Sequence, residues 1–147
     1  MPGRFLPTSS GILGSVLIVA GIGYIGIGLG WLVTSTVQRL AGIQWLGIAG
    51  GDETIGAGWI TIGVIVAICG IFSSKPKVET AGTILATGWP GLMGIFFLIA
   101  WGSGESETGW ITTISYSLFA ILITTVASHP RPKSRGRFDN CDNEGEA

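Results

Sequence analysis

Charge is scarce in this chain: 12% of its 147 residues are Asp, Glu, Lys or Arg, and there is one histidine. No Asp, Glu, Lys, Arg or His occurs in residues 11–33, 55–72, 81–102 or 110–127. Ion-coupled transporters, pumps and voltage sensors place such groups at membrane depth, so their absence argues against those classes. Cysteine is nearly missing as well. Cys69 closes an apolar run and Cys141 lies in the polar tail, with neither metal-ligand spacing nor a disulfide framework, so both are read as free thiols. The single histidine, His129, stands beside Pro130 with no nucleophile near it, and Asp139, Asp142 and Glu144 lack the glycine and spacing of a calcium loop. The sequence therefore predicts no enzyme activity, no catalytic residue, no metal and no cofactor.

What remains is apolar. A hydrophobic content of 47% and a mean hydropathy of +0.58 belong to a polytopic membrane protein. The predicted fold is an all-α membrane protein with four transmembrane helices arranged as two antiparallel hairpins. Residues 1–10 form a cytoplasmic amino terminus. Residues 11–33 form the first span, too long for a signal-peptide core of about 7–15 residues. Residues 34–54 make an outer loop in which Arg39 and Gln44 sit among Val37, Leu40, Ile43 and Trp45, and this loop is either interfacial or re-entrant. The second span is 55–72, ended by Lys75-Pro76-Lys77 in a cytoplasmic loop, 73–80. The third, 81–102, is long enough to cross a ~30 Å hydrocarbon core and is kinked at Pro90. A short outer loop, 103–109, turns the chain into the fourth span, 110–127. A disordered cytoplasmic tail, 128–147, follows.

Orientation follows from Lys and Arg, which cytoplasmic segments retain. Arg4, Lys75, Lys77, Arg131, Lys133, Arg135 and Arg137 fall on one side and Arg39 alone on the other, placing both termini in the cytoplasm of a cell (plasma) membrane protein. Trp31, Trp59, Trp101 and Trp110 then mark the outer helix ends, at headgroup level. A short repeat is also visible: Glu53-Thr54 followed by Gly58-Trp59-Ile60-Thr61 recurs as Glu107-Thr108-Gly109-Trp110-Ile111-Thr112, consistent with a tandem parallel duplication of one hairpin or with chance in a Gly- and Ile-rich chain.

Twenty-five glycines lie mostly inside the apolar runs, where their use is close helix contact. Gly14, Gly21 and Gly28 recur every seven residues in the first span, as do Gly56, Gly63 and Gly70 in the second. Each set forms a seam, and the two seams are expected to face each other. Gly26 and Gly30 form a further Gly-x-x-x-Gly pair suited to contact between protomers. In the fourth span Thr113, Ser117 and Thr124, with Ala120 and Ala127, make a small and polar stripe expected to point inward, as interhelical hydrogen bonding or as a pore lining. The Trp89-Pro90 step breaks the third helix: Pro90 removes a donor and frees the carbonyl of Ala86, which neighbouring Thr87 is placed to re-satisfy. Arg131, Lys133, Arg135 and Arg137 would contact anionic lipid headgroups, and nucleic-acid binding is not expected because only Phe138 is available for stacking.

These features point to a non-enzymatic, multi-pass membrane protein of structural or accessory role, self-associating or packing on a membrane partner. The alternatives are a holin-like pore former or small channel, motivated by the Thr/Ser stripe, and a small transporter hinged at Pro90. No family resemblance accompanies them.

Overall fold

The structure, a computed structural model, describes residues 11–34 and 51–128. Four helices account for almost all of them: α1 (Gly11–Val33), α2 (Gly51–Ile71), α3 (Pro76–Gly102) and α4 (Gly109–Ser128). All four are long and apolar enough to cross a membrane.

Two helices start earlier than the apolar runs alone indicate. Asp52 and Glu53, assigned to the outer loop by the sequence, lie in the first turn of α2, where carboxylates favour the positive end of the helix dipole. Pro76, taken as part of the stop to the second span, instead opens α3. Its fixed φ and missing N–H suit the first helical position, so the 73–80 loop contracts to a tight turn in which Lys75 N–H donates to Phe72 O at 3.2 Å. Glu79 is thereby drawn into the first turn of α3 and is buried, although the sequence places it in a loop.

The glycine seams explain how α1 and α2 meet. A methyl group built on Gly21 would lie 2.6 Å from the Gly63 carbonyl oxygen, and one on Gly63 would lie 2.7 Å from that of Gly21. The same reciprocity joins Gly28 to Gly56 (2.6 and 3.0 Å) and Gly70 to Gly14 (2.8 and 3.1 Å). Partner numbers fall along α2 as they rise along α1, so the two chains run in opposite directions along the contact. Lipid gives no hydrophobic drive for helix pairing, and backbone approach of this kind replaces it with dispersion contact that any side chain would abolish.

α3 and α4 are joined by a turn with its own chemistry. Glu105 N–H donates to Ala100 O (2.9 Å) and Gly104 N–H to Trp101 O (3.1 Å), which satisfies the last carbonyls of α3. The geometry requires a left-handed residue at Gly104, whose φ is +81°. Beyond the turn, Gly109 lets α4 start against α3: a methyl there would sit 2.6 Å from Phe97 O. The two tryptophans of the short repeat do not share an environment. Trp59 lies about two turns into α2 and is fully buried, whereas Trp110 follows Gly109 directly and is half exposed.

Gly21→Ala or Gly63→Ala should therefore lower stability by roughly 1–3 kcal/mol through overpacking. Gly23→Ala, at a position with no atom within 4 Å of the added methyl, should be neutral or stabilising by up to ~1 kcal/mol. Equilibrium unfolding in bicelles measures both, and equal effects at Gly21 and Gly23 would contradict the seam.

Candidate functional site

The feature that brings α3 together with the α1–α2 pair is at Pro90. An i→i−4 bond from residue 90 would have ended on Ala86, so that carbonyl is left without its helical donor. The donor comes from another helix: the Tyr24 hydroxyl of α1 donates to Ala86 O, and both residues are fully buried. Thr87, the group the sequence suggests for this task, instead donates to Thr83 O (2.9 Å) and Ile84 O (3.3 Å). The correction has a local reason. On a helix a Thr hydroxyl reaches back to carbonyls three and four residues earlier, and Ala86 immediately precedes Thr87.

Around this bond lies an aromatic cluster drawn from all four helices and centred near the middle of each. Tyr24 meets Trp59 edge-on (5.0 Å between ring centroids, 75° between planes) and Phe119 at 5.7 Å. Trp59 meets Trp89 at 6.0 Å and Tyr116 at 5.5 Å, and Tyr116 meets Phe97 at 6.1 Å. Trp31, Ile55 and Met93 complete this core, and a second, aliphatic core of Leu17, Ala20, Val66, Ala86 and Ile123 fills the other end of the bundle. The Tyr24–Ala86 bond joins the two cores.

Of the four tryptophans expected at helix ends, Trp31, Trp101 and Trp110 lie within two residues of one, and Trp59 stands about two turns inside α2. Trp59 and Trp31 are buried in the aromatic core at 0% and 3% exposure, whereas Trp101 and Trp110 are half exposed. Large rings facing a neighbouring helix gain contact area there. The indole Nε1 atoms of Trp59 and Trp89 are both buried, and neither has an acceptor among the described residues.

The polar stripe of α4 divides. Thr113 faces α3, donating to Gly94 O (3.1 Å) as well as to Gly109 O on its own helix (2.9 Å). Ser117 is largely exposed but borders α3, its Oγ 3.8 Å from a methyl built on Gly94, whereas Thr124 is exposed and its hydroxyl is satisfied by Ala120 O (2.8 Å). The stripe runs along the edge of the α3 contact because α4 is pinned at Gly94 and Gly109, which aims its bulkier Tyr116 and Ile123 at the bundle. Cys69 is a buried free thiol whose Cβ packs on Gly82. Among the described residues no three His, Cys, Asp or Glu side chains gather in a way that could hold a metal ion. Arg131, Lys133, Arg135, Arg137, Cys141 and the interfacial or re-entrant segment around Arg39 lie outside the described residues.

A bundle of four apolar helices with an aromatic centre defines the chain as a multi-pass membrane protein. No protein-family model matches it, nor does any curated protein or solved structure.

Tyr24→Phe, which removes only the hydroxyl, should cost roughly 0.6–1.7 kcal/mol, the range of interhelical hydrogen bonds in membranes. In a Pro90→Ala background, where residue 90 regains an N–H for Ala86, the same change should cost close to nothing. A double-mutant cycle by unfolding in bicelles reads this coupling, and equal costs in the two backgrounds would show that the hydroxyl does not serve the kink.

Proposed function

We propose that the chain is a structural or accessory component of the cell membrane, not an enzyme, and that it associates with a second copy of itself through the outer face of α4. The observation that carries this reading is how little of α4 is covered. Its buried residues are Gly109 and Ile123 alone, and 6% of its most apolar stretch is buried, compared with 33% in each of the other helices. The uncovered face carries Thr124, with Ser117 at its border with α3, small and hydroxyl-bearing residues of the kind that enrich helix–helix contacts in lipid. The two glycine seams cannot serve a partner, because they are used up between α1 and α2. Gly26 and Gly30, which have open space around them, are the competing surface.

Both termini are assigned to the cytoplasm on the count of seven basic residues against one. Arg131, Lys133, Arg135 and Arg137 would then hold the tail to anionic lipid at about 1 kcal/mol per residue.

The exposure of Ser117 and Thr124 also supports a second reading, a holin-like pore or small channel lined by α4 from several copies. Within one chain the centre is occupied by aromatic rings.

In a Cys141→Ser background, Ser117→Cys and Thr124→Cys should give disulfide-linked dimers on oxidation in native membranes, while Gly26→Cys should not. Crosslinking at Gly26 alone would move the interface to α1, and monomer at every position with no crosslinked partner would remove the proposal. Collapse of membrane potential on induced expression would favour the pore, and an unchanged potential would eliminate it.

A further inference from the structure

We propose that α3 is a hinge at Gly88–Gly91, and that the Tyr24 hydroxyl is the catch holding it in the position seen here. This goes beyond association through α4 and does not depend on it.

Pro90 interrupts the hydrogen-bond ladder of α3, and the carbonyl it frees is held by a group from α1, not from α3 itself. Gly88 and Gly91 stand on either side of the proline, and a methyl built on either would meet nothing within 4 Å. The break is thus open on its glycine side, whereas Pro90 is fully buried and Trp89 packs against Gly58 of α2. Helices that bend during domain and bundle motions do so at a few such positions.

The two halves of α3 are tied to different neighbours. Before the break, Gly82 packs closely on Cys69 of α2 and Leu17 of α1. After it, Thr113 Oγ1 bonds Gly94 O and Gly109 closes on Phe97 O, which fixes the second half to the first turns of α4, while Ile123 farther along α4 packs in the core that holds Ala86. What the second half shares with α1 and α2 is the side-chain contact of Met93 and Phe97 with Tyr24 and Trp59. Met is an adaptable core residue, and apolar ring faces slide without losing a directional bond.

The latched position is also imperfect. Trp89, next to the proline, and Trp59, in edge contact with it, each keep a buried N–H with no acceptor among the described residues. Unsatisfied donors raise the energy of the arrangement that contains them and narrow its advantage over a second one. The hydroxyl of Tyr24 then carries much of the difference between the two positions.

Pairs of spin labels test this in full-length protein lacking Cys69 and Cys141 (Cys69→Ala, Cys141→Ser), reconstituted in bilayers. Cysteines at Ile22 and Ile95, both exposed to lipid, report on the half of α3 beyond the break. Cysteines at Ile22 and Ile84 report on the half before it. Tyr24→Phe should enlarge the minor population of the Ile22–Ile95 distance about threefold, the factor given by a membrane hydrogen bond of average strength. It should leave the Ile22–Ile84 distance unchanged, and adding Pro90→Ala should return Ile22–Ile95 to a single narrow distribution. An Ile22–Ile95 distribution as narrow in Tyr24→Phe as in Pro90→Ala would make the hydroxyl a static brace and overturn the hinge. If Tyr24→Phe does not fold, parent and Pro90→Ala decide: a broader Ile22–Ile95 distribution in the parent supports the hinge, and equal widths overturn it.

Discussion

Inside a bilayer a backbone carbonyl has only protein to bond to, and Pro90 creates one such orphan in the middle of α3. The packing of the chain is arranged around answering it. Tyr24 can do so only if α1 is held at a fixed distance and rotation from α3, which the glycine seam with α2 provides. Trp59, presented by α2 from the same pair, then packs against Tyr24 on one side and Trp89 on the other. The α1–α2 pair is thus a platform, and the proline-bearing helix docks on it through one directional bond set among rings. The aliphatic core toward the opposite end adds contact but no direction.

Much of this was legible in the residues, and for definable reasons. Uncharged runs of 18 residues or more can be little else than membrane spans, and a seven-residue spacing of Gly14, Gly21 and Gly28 against Gly56, Gly63 and Gly70 is a pattern of backbone contact. The orphan at Ala86 also follows from Pro90 by the geometry of the helix. Its partner did not, because Tyr24 lies 62 positions away and only the register of α1 against α3 brings its hydroxyl there. Trp59 misled for a related reason. Distance from a charged loop suggests depth, but Asp52 and Glu53 belong to α2, which sets Trp59 deeper than the apolar run implies. Pro76 was ambiguous in kind, since the same ring that ends one helix suits the first position of the next.

The division of the α4 stripe, Thr113 facing α3 and Thr124 exposed, shows where composition stops being informative. A stripe of small polar residues says that a helix has one face unlike the others. Whether that face looks into its own bundle depends on which residues win the inner positions, and here Tyr116 and Ile123 do. The hydroxyls then bond their own backbone, as Ser115, Thr124 and Thr125 do, and the face can tolerate either lipid or protein.

The light burial of α4 bears on how the chain is assembled. Membrane helices leave the insertion machinery in the order of synthesis, and here that order matches the order of dependence. α1 and α2 can close their seam as soon as both are in lipid, and α3 finds its hydroxyl partner already waiting on α1. α4 arrives last and supplies the most extensive partner surface that α3 has, pinned beside it by the glycine-tipped turn that delivered it.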